Sequence, residues 1–260
     1  MNKLPANTGW LWVKQGFQYF RQQPMEFSTL FIVYLLFMLI VEFIPYVGQT
    51  IAFILMPLFT LSFMQACREI DHGVRVHPRM LLYSFRLPQA RRLMQLGVLY
   101  LLAACIAIAA STLIDGGVFL QFITGQKELN AKMIEQSDMT LAMLFAMLVY
   151  LPALLAFWFA GPLIAWQDMP LFKAIFYSFF AALKSIRVFL IYGLSWFALG
   201  GIVPSILSII FASITGNPNT IIFIMMPMSM ILTIILYCSF YPSYKSIFAQ
   251  ADEAPSSTIS

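Results

Sequence analysis

Six long apolar stretches divide this chain, and all but two of its fifteen Lys and Arg residues fall in alternate gaps between them. The stretches cover residues 27–47, 48–66, 93–114, 141–166, 187–213 and 220–243. Each approaches or exceeds the roughly 20 mostly apolar residues that a helix needs to cross the hydrocarbon. The chain is 61% hydrophobic and 10% charged, whereas a soluble domain carries roughly 25% charged residues. The expected fold is therefore all-α, a polytopic membrane protein with six transmembrane helices. Six spans leave no room for a separate soluble domain. A single membrane domain over 1–248 is expected, followed by a small, polar, disordered tail over 249–260.

The charges also orient the chain. Residues 1–26 hold Lys3, Lys14 and Arg21, and the gap after the second span holds Arg68, Arg75, Arg79, Arg86, Arg91 and Arg92. Lys173, Lys184 and Arg187 lie between the fourth span and the edge of the fifth, and Lys245 follows the sixth. Only Lys127 and Lys132 lie in the opposite gaps. Cytoplasmic loops carry the Lys/Arg excess, so both termini are expected in the cytoplasm. An aromatic and basic stretch precedes the first span, and no small-residue cleavage site follows its core, so it reads as a span and not as a cleaved signal peptide. Cys67, Cys105 and Cys238 are odd in number and irregularly spaced, which argues against a disulfide framework or a zinc site.

The pattern suggests three copies of one unit: a short amphipathic cytoplasmic helix, then two spans joined by a tight outer turn. The first such helix, over 8–23, places Trp10, Val13, Phe17 and Phe20 near one face and Lys14, Gln18, Arg21 and Gln22 on another, which suits the membrane interface. Pro24 marks its break from span one. Pro78 suits the start of the second helix and Pro170 that of the third. Tyr83-Ser84-Phe85 matches Tyr177-Ser178-Phe179, with Gln18-Tyr19-Phe20 at the same place in the first copy. Pro45-Tyr46-Val47-Gly48-Gln49 and Gly216-Asn217-Pro218-Asn219 read as tight turns. The longer segment 115–140 suits a short amphipathic outer helix.

Few residues offer chemistry. Glu42 and Asp115 are ionisable groups at the outer ends of spans one and three. They are candidates for an outer polar site, because a charge in hydrocarbon costs at least ~2.5–3.5 kcal/mol; the plainer reading is that they reach interfacial water and end their helices. Lys14, Arg21, Arg68, Arg75, Arg79, Arg86, Arg91, Arg92, Lys173 and Lys184 are candidate contacts for lipid headgroups or for a partner. Near the surface each is worth about 1 kcal/mol against anionic lipid. Their plainer role is to set topology. Cys67, Glu69, Asp71, His72 and His77 lie close in sequence, but their spacing does not align on a helix face and Arg68 and Arg75 would repel a cation. No metal or cofactor is expected, and no nucleic acid. No phosphate cradle, activated nucleophile or metalloprotease helix is present. Ala103, Ala107, Ala110 and Ser111 make span three the expected bundle centre, and Pro57, Pro152, Pro162, Pro204 and Pro227 are expected to interrupt helices.

Gly9-Trp10-Leu11-Trp12 with Gly16-Phe17, Phe20-Arg21-Gln22-Gln23-Pro24, Phe63-Met64-Gln65-Ala66-Cys67-Arg68 and Asp115-Gly116-Gly117 together resemble a family of uncharacterised six-span inner-membrane proteins of Gram-negative bacteria. That family is more loosely similar to the membrane domain of some glycerophosphodiester phosphodiesterases. The resemblance covers nearly the whole chain and implies a bacterial inner-membrane location. The phosphodiesterase domain and its metal-binding acids are absent, so that reaction is not implied. The expected function is non-enzymatic: engagement of lipids, anionic ones above all, or of a membrane-protein partner or second copy, through the basic cytoplasmic face. The alternative is a transporter or channel-like protein for a small apolar or amphiphilic solute.

Overall fold

The computed structural model describes residues 4–45, 47–124, 138–215 and 218–252. Every regular element among them is helical. Helix α1 is Thr8–Gln22, α2 Pro24–Glu42, α3 Gly48–Asp71, α4 Ala90–Asp115 and α5 Val118–Ile123. Then come α6 Met139–Phe157, α7 Ala160–Trp166, α8 Leu171–Lys184, α9 Ile186–Phe197, α10 Val203–Thr215 and α11 Pro218–Asp252. Six stretches are long and apolar enough to cross a membrane: α2, α3, α4, α6 with α7, α9 with α10, and α11. The fold is an all-α polytopic membrane protein.

By packing, the residues fall into two compact units. One comprises 1–40, 58–87 and 181–260, the other 41–57 and 88–180.

In the first unit α1 is not an isolated interfacial helix. Its buried stripe is Gly9, Trp12, Val13 and Gly16, which leaves Trp10 on the rim at 39% exposure. The two glycines explain the difference. A Cβ on Gly9 would collide with the Val188 carbonyl oxygen, and one on Gly16 would meet that of Ile235 at 2.8 Å. The small residues let α1 press onto the α9 and α11 backbones. Trp12 then fills the space beside them, edge-on to Phe189 and Tyr192, and its indole N–H donates to Ser246 Oγ at 2.9 Å. Around α3, Phe31, Tyr34, Phe59, Phe63 and Tyr237 form an aromatic core, with Phe63 stacked on Tyr237 at 4.7 Å.

In the second unit α4 packs closely where it has Gly97, at which a Cβ would collide with the Ile54 backbone. Ala107 and Ser111 are buried as the small-residue pattern implies. Even so, α3 and not α4 is the most enclosed span, with 56% of its most apolar window buried against 17%. Small residues allow one close approach, whereas large side chains surround α3 on several sides.

The second expected amphipathic helix is not α-helical. It forms two short 3₁₀ turns, Pro78–Leu82 and Ser84–Arg86. Pro88 forces Leu87 into an extended conformation, and Ser62 Oγ ties the turns down through the Leu81 carbonyl and Ser84 Oγ, both at 3.0 Å. The third helix forms as expected. Its Ser178 accepts from the Phe159 N–H at 2.9 Å and donates to the Leu155 carbonyl at 3.2 Å, bridging the break between α6 and α7. The matched tripeptides thus carry the same device, a fully buried serine bonded to the span before it.

Pro57, Pro152 and Pro227 sit inside continuous helices. Breaks occur only near Pro162 and Pro204, where a π-helical turn, Ala198–Ile202, joins α9 to α10. The last helix runs to Asp252, four residues into the expected tail, and 253–260 lie outside the described residues. So do Lys127, Glu128, Lys132 and Glu135 of the outer segment.

Candidate headgroup site

Beyond the end of α3 the chain turns at Gly73 (φ +73°) and is held in place from two sides. Gln23 donates to the Val74 carbonyl at 3.2 Å and accepts from the Val76 N–H at 2.7 Å. Ser62 fixes the 3₁₀ turns, and Phe85 packs edge-on against Phe59. Between these anchors lies a cavity of about 770 Å³ lined by Gln65, Glu69, His77, Arg79, Tyr83 and Arg86, with Pro78, Met80 and Leu87 as apolar wall. Glu69 is its one carboxylate and is held by the Gln65 side-chain amide at 2.6 Å. Among the described residues no carboxylate pairs with Arg79 or Arg86. Two guanidinium groups therefore line one cavity without an ion-pair partner and, against the single Glu69 carboxylate, leave its lining with an excess of positive charge. Such an arrangement suits bidentate capture of a phosphate.

Arg79 and Arg86 differ from the other candidate cations in sharing one cavity. Arg75 is paired with Glu26 at 2.6 Å, and Arg92 with Asp168 at 2.8 Å. Lys14 lies 5.8 Å from the centre of the Trp10 ring, and Lys173 lies 5.9 Å from that of Tyr177. Arg68 is half-buried and has its own interactions within the protein. Arg21, Arg91 and Lys184 are exposed at helix ends.

Over 251 residues the chain is 37% identical to a protein of Burkholderia thailandensis named as a probable inner membrane protein, a match covering 95% of this chain and 93% of that one. The chain belongs to that inner-membrane protein's family. No family model matches it, and no solved structure does. Its place as an integral inner-membrane protein rests on this relative together with the six apolar spans.

A second polar cluster in this inner-membrane protein was hidden in the sequence. Asp71 closes α3 and receives three donors from two other helices: Tyr19 Oη at 2.8 Å, Tyr241 Oη at 3.0 Å and Lys245 Nζ at 2.7 Å. Burial, and then the Asp71 carboxylate beside it, push the Tyr19 phenol far above its ordinary range, so Tyr19 stays a donor at any working pH. In the sequence Asp71 stands out only among residues whose spacing does not suit a metal site. The four residues are too widely separated in the chain to have signalled their meeting.

The outer candidates part company. Both Asp115 carboxylate oxygens accept backbone N–H bonds, from Gly117 at 2.9 Å and Phe119 at 2.6 Å, so this carboxylate folds the turn that ends α4. Glu42 is exposed at the end of α2. No contact joins the two among the described residues.

Proposed function

We propose that this protein is a non-enzymatic membrane protein that holds the phosphate of anionic lipid headgroups at Arg79 and Arg86, on a face turned to the cytoplasm with both termini. The observation that carries the reading is the pair of guanidinium groups in one cavity, neither of them ion-paired, with Glu69 as the one carboxylate on the wall. The apolar wall of Met80, Pro78 and Leu87 suits the glycerol end of a lipid. The exposed stripe of Phe172, Phe176 and Phe180 on α8 suits a helix whose aromatic side enters the acyl boundary. The positive-inside rule supplies the orientation.

The test is native mass spectrometry of the full chain released from mixed vesicles of phosphatidylglycerol and phosphatidylcholine. Wild type should retain phosphatidylglycerol preferentially. At about 1 kcal/mol per basic residue, the R79Q/R86Q variant should lose roughly 30-fold of that preference, while R75Q keeps it. An unchanged preference in a correctly inserted R79Q/R86Q variant would sink the headgroup reading. A co-purifying protein lost with the same substitutions would move the site to a partner.

A further inference from the structure

The Arg79–Arg86 cavity contains a group that phosphate capture alone does not call for. Glu69 lines the same wall and stands in the last turn of α3, where the partial negative charge of the helix end opposes a carboxylate. The fold answers the other acid of that turn, since Asp71 receives Lys245 and two tyrosine hydroxyls. Glu69 has no such answer. Among the described residues it forms no ion pair, with Arg79, Arg86 or any other base.

It is nonetheless held in place. Its carbonyl accepts the His72 and Val74 N–H groups, both at 3.0 Å. Its Oε1 accepts from Nε2 of Gln65, one turn earlier, at 2.6 Å, and Gln65 is itself buried. Among the described residues no donor reaches Oε2. A phosphate bound at the two arginines therefore meets a fixed carboxylate on the same wall. Like charges set against each other in a binding site disfavour binding. The arrangement becomes favourable when the ligand carries a hydrogen-bond donor beside its phosphate, which Oε2 receives in a charge-assisted bond. The charge balance selects the kind of donor. Two guanidinium groups against one carboxylate leave an excess of one positive charge, which a phosphodiester monoanion with a neutral hydroxyl matches. An ammonium in place of the hydroxyl would bring a third cation beside the two arginines.

We infer that Glu69 is a specificity-determining residue of this cavity. The arginines take the phosphate, and Glu69 takes a hydroxyl on the group esterified to it. The ligand class is then a hydroxylated phosphodiester headgroup and not anionic lipid in general. This rests on the headgroup reading and goes beyond it. A site built to bond a hydroxyl rejects the analogue that lacks one, because its acceptor is left unpaired.

Competition between two lipids of equal charge tests it. Phosphatidylglycerol and phosphatidylmethanol with the same acyl chains are both phosphodiester monoanions, and only the first has headgroup hydroxyls. The full chain is released from phosphatidylcholine vesicles holding equal amounts of the two, and the retained lipids are counted by native mass spectrometry. Wild type should retain both above phosphatidylcholine, and phosphatidylglycerol about fivefold to tenfold above phosphatidylmethanol, the effect of one hydrogen bond. E69M keeps the length of the side chain and loses both oxygens. Its ratio should fall to about one, with phosphatidylmethanol retention raised because the opposing charge is gone. E69Q keeps an acceptor oxygen and should lie between. Equal retention of the two anionic lipids by wild type, both above phosphatidylcholine, overturns the inference and leaves the headgroup reading standing. Retention of neither above phosphatidylcholine removes both. A phosphatidylglycerol preference that persists in E69M overturns the role of Glu69, and phosphatidylethanolamine retained above phosphatidylglycerol overturns the hydroxyl assignment.

Discussion

Asp71 and the Arg79–Arg86 cavity lie a few residues apart in one unit, yet they use charge in opposite ways. At Asp71 a carboxylate gathers Tyr19, Tyr241 and Lys245, so the charge is answered within the protein and fastens α1, α3 and α11 together. In the cavity Arg79 and Arg86 face no carboxylate partner, while the one acid on its wall, Glu69, is held by Gln65. The first arrangement fastens the fold, and the second is what the proposed headgroup site rests on. Basic residues that look equivalent in the sequence are separated by what the fold sets opposite them.

Four substitutions sharpen that contrast, from the largest effect down. Gly16→Leu drives a side chain into the α11 backbone and should lower stability by about 3 kcal/mol or more, read as a collapse of Tm in detergent. Without such a fall, α1 is not docked as described. Asp71→Asn keeps the shape and removes the charge. It should cost about 1–2 kcal/mol and lower Tm by a few degrees, with phosphatidylglycerol retention intact. A loss of retention with no loss of stability would reverse the roles assigned to the two clusters. Arg75→Gln breaks a single pair whose arginine lies in solvent and should move Tm by no more than about 1 °C.

The smallest effect depends on pH. Asp168 is held below its ordinary range by the Gln89 hydrogen bond and then by the Arg92 charge. Its contribution is therefore present above the ordinary carboxylate pKa of about 4 and lost as pH falls through the lower folded value. The Tm of D168N should match wild type in strong acid and fall slightly below it near neutrality. A gap that widens on acidification would contradict the pairing.

The spans were legible because hydrophobic length is a local property, and all six appear close to their expected bounds. The form of 78–86 was not, because helical spacing cannot reveal that Pro88 and Ser62 override it. Nor could periodicity show that Gly9 and Gly16 press α1 into the protein, since a glycine reads alike as a turn or a close approach. Among the candidate site residues, residue type identified the arginines but not their pairing. Whether a cation is answered depends on acids such as Glu26 and Asp168, which are distant in sequence.

Hydrogen–deuterium exchange of the full chain in nanodiscs of phosphatidylcholine, with and without phosphatidylglycerol, tests the headgroup site most directly. Peptides spanning 76–88 should gain protection when phosphatidylglycerol is present, while those around Tyr19 and Asp71 stay unchanged. Equal protection of both regions, or none at 76–88, would contradict a headgroup site at Arg79 and Arg86.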